Sequence, residues 1–125
     1  MRVGLAFGPI WALWHLPLFL IDGTYQHSLG IVSLGGLAFL ISTTALTILV
    51  SFAYERLAGL VGAISVHFAS NTVPTMLGLT ALSSVVLDAA AKVLMAVAVL
   101  YLWKTSERPA TLDPGQVPRP TQGVS

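Results

Sequence analysis

The chain has 125 residues, 55% of them hydrophobic and only 9% charged, with a mean hydropathy of +0.83. A soluble domain carries about 25% charged residues, so most of this surface suits a bilayer better than water. The formal net charge of +1 gives no electrostatic basis for binding nucleic acid, and the absence of cysteine excludes a disulfide framework, a thiolate metal site and a cysteine nucleophile.

Four apolar segments are each long enough to span a hydrocarbon core of about 30 Å, which takes about 20 helical residues. They run over Val3–Ile21, Ile31–Tyr54, Leu57–Leu79 and Ser84–Trp103. The expected fold is therefore all-α, a polytopic membrane helix bundle with about four transmembrane helices, occupying residues 1–103. The first segment contains Pro9, Trp11, Trp14, His15 and Pro17 and is followed by no clean small-residue cleavage site. It reads as a retained membrane helix rather than a secretory signal. The connectors are "DGTYQHSLG", the short "ER" step and "TALSS". Residues 104–125 hold four of the seven prolines and almost no large apolar side chain, the composition of a disordered tail.

Charge placement predicts an orientation. In a four-span drawing Arg2, Arg56, Lys104, Arg108 and Arg119 fall on one side, and the opposite connectors contain Asp22 but no Lys or Arg. The positive-inside rule then puts both termini in the cytoplasm. The expected location is an integral position in a membrane, that of a bacterial cell by the family resemblance described below. Segments one and three run in the same direction in this drawing. His15 lies 13 residues after Arg2 and His67 lies 11 after Arg56, depths of roughly 20 and 16 Å at 1.5 Å per residue. The two imidazoles are thus expected to face each other across the bundle.

Intramembrane ionisable groups mark function by default, but each has a structural reading as well. His15 is either a site residue or a core histidine bonded to a neighbouring helix. Pro17 frees the carbonyl of Leu13 and is expected to bend the helix beside it. His67 and Asn71 form an H-x-x-x-N pair one turn apart. That spacing suits a proton-handling imidazole next to an oxyanion donor, and equally suits polar glue between helices. Asp88 and Lys92 have the same spacing and are expected to pair along their helix. His27 lies in a polar connector and reads as solvated. Gly4 with Gly8, and Gly59 with Ala63, have the small-residue spacing of close helix packing. Trp103 and Tyr101 mark an interfacial belt.

"WALWHLPLF" resembles the aromatic–histidine motif of the CPBP intramembrane proteases, the CAAX-protease and bacteriocin-processing family, with Trp11 and His15 at the motif positions. "GLVGAISVHFASNTV" resembles that family's H-x-x-x-N motif, with His67 and Asn71. The resemblance covers about Val3 to Leu102. It implies an intramembrane endopeptidase in which His15 and His67 position water or the tetrahedral intermediate and Asn71 donates to the oxyanion. It implies a peptide or prenylated-protein substrate in the membrane. No cofactor is expected, with a divalent metal such as zinc, held by His15 and His67, as the alternative.

The family's E-E-x-x-x-R motif is missing from this chain, whose only glutamates are Glu55 and Glu107. Glu55 reads as part of an interfacial ion pair with Arg56, and Glu107 lies in the tail. The expectation is the C-terminal half of a protease, from a truncated gene or a late start, and inactive without the upstream glutamates. Two other classes compete. One is a non-catalytic membrane interaction or bacteriocin-immunity protein derived from that fold. The other is a bis-histidine haem protein, which a Soret band would reveal.

Overall fold

In the computed structural model, residues 2–78 and 81–106 are described. They form five α-helices and no strand: α1 (Arg2–Trp14), α2 (Tyr25–Leu29), α3 (Leu34–Ala53), α4 (Gly59–Met76) and α5 (Leu82–Ser106). A 3-10 turn covers Leu16–Leu20 and a π-helical turn covers Tyr54–Ala58. Two helical stretches are long and apolar enough to cross a membrane, Leu34–Met76 and Leu82–Ser106, with mean hydropathies of 2.0 and 2.1 over their most apolar windows.

The stretch Leu34–Met76 is folded into two arms. The π turn ends at Gly59, whose φ of 55° is open to glycine at little cost. Beyond it α4 turns back along α3, so that Ala63 and His67 share one groove with Val50. Further along, Ser70 and Thr75 share a cavity with Ser42 and Phe39. Gly59 therefore serves chain reversal and not the close packing expected of it, since a Cβ there would meet nothing within 4 Å.

Helix α3 is the hub, and α1, α4 and α5 all pack on it. The α1 contact is antiparallel and close. A Cβ on Gly4 would fall 2.5 Å from Ser51 Oγ, and one on Gly8 would fall 3.1 Å from the Thr44 carbonyl oxygen. The expected small-residue seam is thus present at this pair. The α5 contact is parallel. Ala38 packs with Val85 and Ala89 near one end, and Ala45 and Ile48 pack with Ala96 near the other.

Helix α3 carries "STT", a further threonine and a serine among its apolar residues, and its geometry tolerates them. Thr43, Thr44, Thr47 and Ser51 donate their hydroxyls to the carbonyls four residues back, at 2.8–3.0 Å. Such back-bonding satisfies a hydroxyl without water. The helix starts where Ser33 Oγ accepts from the Gly36 amide at 2.9 Å, a side-chain N-cap. Thr24 caps α2 in the same way, accepting from the His27 amide at 3.1 Å. That short helix lies in the connector "DGTYQHSLG".

The first apolar segment is not one continuous helix. α1 stops at Trp14, and the chain goes on as the 3-10 turn with Pro17 in its first turn. Proline removes an amide donor and clashes with the preceding turn, so the bend expected at Pro17 becomes a helix end. At the other end of the chain α5 continues through Lys104 to Ser106, past the boundary drawn at Trp103. The Arg56 guanidinium sits 4.1 Å over the Trp103 ring and donates to Ser106 Oγ at 3.3 Å. The Pro-rich residues of the tail, with Glu107, Arg108 and Arg119, lie outside the described residues.

Candidate functional site

His15 occupies the break between α1 and the 3-10 turn. Its own amide bonds to the Ala12 carbonyl at 3.1 Å, three residues back. The Trp11 carbonyl is thereby left without the usual amide partner, and His15 Nδ1 donates to it at 2.8 Å. A side chain thus closes a helix C-terminus that the proline leaves open. A carbonyl only accepts, so Nδ1 carries the proton, and in the neutral ring Nε2 keeps its lone pair. The imidazole is held edge-on by Trp11, with ring centres 5.9 Å apart, and by Phe39 of α3 at 5.6 Å. Phe39 also touches Phe19 at 5.7 Å and Tyr25 at 6.4 Å, so three rings surround one side chain of the hub helix.

His67 and Asn71 lie one turn apart on α4, with His67 Nε2 and Asn71 Nδ2 separated by 3.1 Å. An amide nitrogen donates, so Nε2 is the acceptor and the His67 proton sits on Nδ1. The second amide hydrogen of Asn71 stays available to another acceptor. Both residues line an apolar groove with Val50, Ala63, Ile64 and Phe68. The pair expected from H-x-x-x-N is therefore formed on the helix itself.

The ring of His15 rests on Phe39, whereas His67 shares its groove with Val50, eleven residues further along α3. That is a rise of about 16 Å. Among the described residues no hydrogen bond or ring contact joins the two imidazoles. Among the same residues no group of three or more His, Cys, Asp and Glu converges as a metal-ligand set. His27 lies 3.1 Å from Asp22 in an exposed pair at the connector.

A second cavity holds more polar chemistry than the histidine groove. It has a volume of about 410 Å³ and lies between α3, α4, α5 and α2. At its centre Asp88 Oδ2 accepts from Lys92 Nζ at 2.7 Å and from Ser42 Oγ of α3 at 2.8 Å. The Asp88–Lys92 pair matches the i, i+4 expectation. The Ser42 bond adds a tie between helices that spacing does not reveal. Lys92 is buried, with 9% of its surface exposed, so its charge requires a partner. Asn71 lines this cavity as well as the histidine groove.

Tyr25 stands at the α2 end of the cavity. Burial, and secondarily the negative charge of Asp88, raise its phenol above the ordinary value of 10.0. Ser70 completes the wall. Its hydroxyl is buried and has no hydrogen-bond partner within the protein. The sequence reading missed Ser42, Ser70 and Tyr25 as members of one site. The available signal was the presence of hydroxyl or amide side chains inside three apolar segments, together with the one buried charge pair.

Comparison with known protein families, with curated proteins and with solved structures returned no match.

Proposed function

We propose that the chain is an integral membrane protein of the CPBP type, whose His67 and Asn71 form one part of a site for peptide-bond hydrolysis and whose His15, seated apart on Phe39, is assigned to that site by the motif resemblance alone. The observation that carries this reading is the His67–Asn71 contact at 3.1 Å on a groove wall, joined to the "WALWHLPLF" and "HFASN" resemblance. In the proposed arrangement the four apolar segments span the bilayer with both termini cytoplasmic. The substrate is a peptide or prenylated protein within the membrane. Asn71 gives its free amide hydrogen to the developing oxyanion. His67, which receives the other amide hydrogen, positions that donor. His15 presents Nε2 as an acceptor toward water, its tautomer fixed by the Trp11 carbonyl.

A carboxylate base is the part of this chemistry that the family motif would supply. Joining a helix that bears E-E-x-x-x-R ahead of Met1 is expected to give cleavage of membrane-embedded peptides. The 125-residue chain is expected to be slower by about 10² to 10⁴, the worth of general-base assistance. His15→Ala, His67→Ala and Asn71→Ala in the joined protein should each remove most of the activity. Cleavage indifferent to all three substitutions would refute the assignment.

A second reading is a non-catalytic membrane interaction protein of the same fold. The cap that His15 makes on Trp11 supports it, because this bond accounts for the histidine without catalysis. Under that reading the joined protein stays inactive.

A further inference from the structure

We propose that the polar cavity between α3, α4 and α5 is filled with water, which enters at the α2 end and reaches Asn71 on the wall formed by α4. The Ser70 hydroxyl is the first reason. It is buried with no partner in the protein, and it lines this cavity. A buried hydroxyl with no hydrogen bond is costly and rare. A water in the cavity supplies the missing bond.

The charge pair is the second reason. The Lys92 ammonium gives one hydrogen to Asp88 and has two more to give. Asp88 retains Oδ1, since Ser42 and Lys92 both bond to Oδ2. Charges at this depth in an apolar helix are retained where they face a wet space. A volume of about 410 Å³ holds on the order of ten waters at about 30 Å³ each. Ser42, Ser70, Asn71, Asp88 and Lys92 offer polar partners along one course of a wall that also holds Phe39, Leu46, Pro74 and Val85.

The shape is the third. Tyr25, Gln26, Ser84 and Thr75 lie at the α2 end, and Lys92 and Leu46 lie deeper. From Ser84 to Lys92 the rise along α5 is about 12 Å, which brings the cavity close to the middle of that helix. Asn71 forms wall on both sides, facing this cavity and the groove of His67. Hydrolysis inside a membrane consumes water, and this cavity is a polar route to Asn71. The delivery role rests on the proposed peptidase function; the hydration does not.

The chain has no cysteine, so single-cysteine variants report on one position each. Methanethiosulfonates react with the thiolate, which forms in water and not in lipid or a dry core. The full chain in lipid vesicles would be treated with the cationic reagent MTSET from the α2 side. Ser70→Cys and Thr75→Cys are expected to react at least about tenfold faster than Leu94→Cys, on an exposed apolar face of α5, and than Ala45→Cys in the packed α3–α5 seam. Should Ser70→Cys not fold, Ser42→Cys reads the same depth. The readout needs no peptidase activity, so a failed cleavage assay leaves it unaffected. A deep variant reacting no faster than Leu94→Cys overturns the proposal, as does reaction confined to Thr75→Cys.

Discussion

Removing one member of the Asp88–Lys92 pair should cost far more than removing both. Asp88→Leu leaves the Lys92 ammonium buried without its counter-ion and deprives Ser42 of its acceptor. Losing one partner of a fully buried pair costs about 3–5 kcal/mol. The Asp88 side chain keeps 31% of its surface exposed and Lys92 keeps 11%, so water offsets part of that loss. The expected cost of Asp88→Leu is about 2–3 kcal/mol, and Lys92→Met should be similar. The double substitution removes both charges and fills the space with apolar atoms, so it should lie within about 1 kcal/mol of the starting protein. The coupling energy is then about 3–7 kcal/mol. Thermal unfolding in one detergent, followed by circular dichroism, measures all four proteins. Single variants should melt lower by about 5 °C or more, at roughly 2–8 °C per kcal/mol over the size range that brackets 125 residues. The double variant should recover most of that. If the two single losses simply add in the double variant, the pair is not coupled and the account of the cavity centre is wrong.

Tyr25 and the topology supply two further tests. Burial and the Asp88 charge raise the Tyr25 phenol, which is protonated at neutral pH. The unfolded chain therefore ionises first as pH rises, and the stability linked to Tyr25 is complete below pH 10 and declines as pH climbs through the higher folded value. Ultraviolet difference titration, with Tyr25→Phe to assign the signal, should find Tyr25 ionising late and moved toward the ordinary value by Asp88→Asn; no movement would remove the electrostatic contribution. For the topology, an impermeant thiol reagent applied to intact cells should label Ser28→Cys in the exposed α2 connector and spare Ser106→Cys at the end of α5. The opposite pattern would invert the proposed orientation, and labelling of both would break the four-span drawing.

Local features of this protein were legible in the sequence because their physics is local. Long apolar runs located α3, α4 and α5 to within a few residues, since a helix in an apolar medium satisfies its own backbone. The contacts His67–Asn71 and Asp88–Lys92 follow from one turn of helix. Pro17 signalled a disturbance near His15, but its outcome depended on which group took the Trp11 carbonyl. The imidazole took it, and the helix ended there. Only the tertiary structure decided what needed contact between distant residues. Ser42 meets Asp88 across 46 positions of sequence, and Phe39 gathers His15, Phe19 and Tyr25 around itself. The same holds for the polar cavity, whose wall is assembled from four helices. Hydropathy reports that a helix is apolar on average. Which of its faces holds the stray serine, and which neighbour that serine meets, is set by crossing geometry and by the reversal at Gly59.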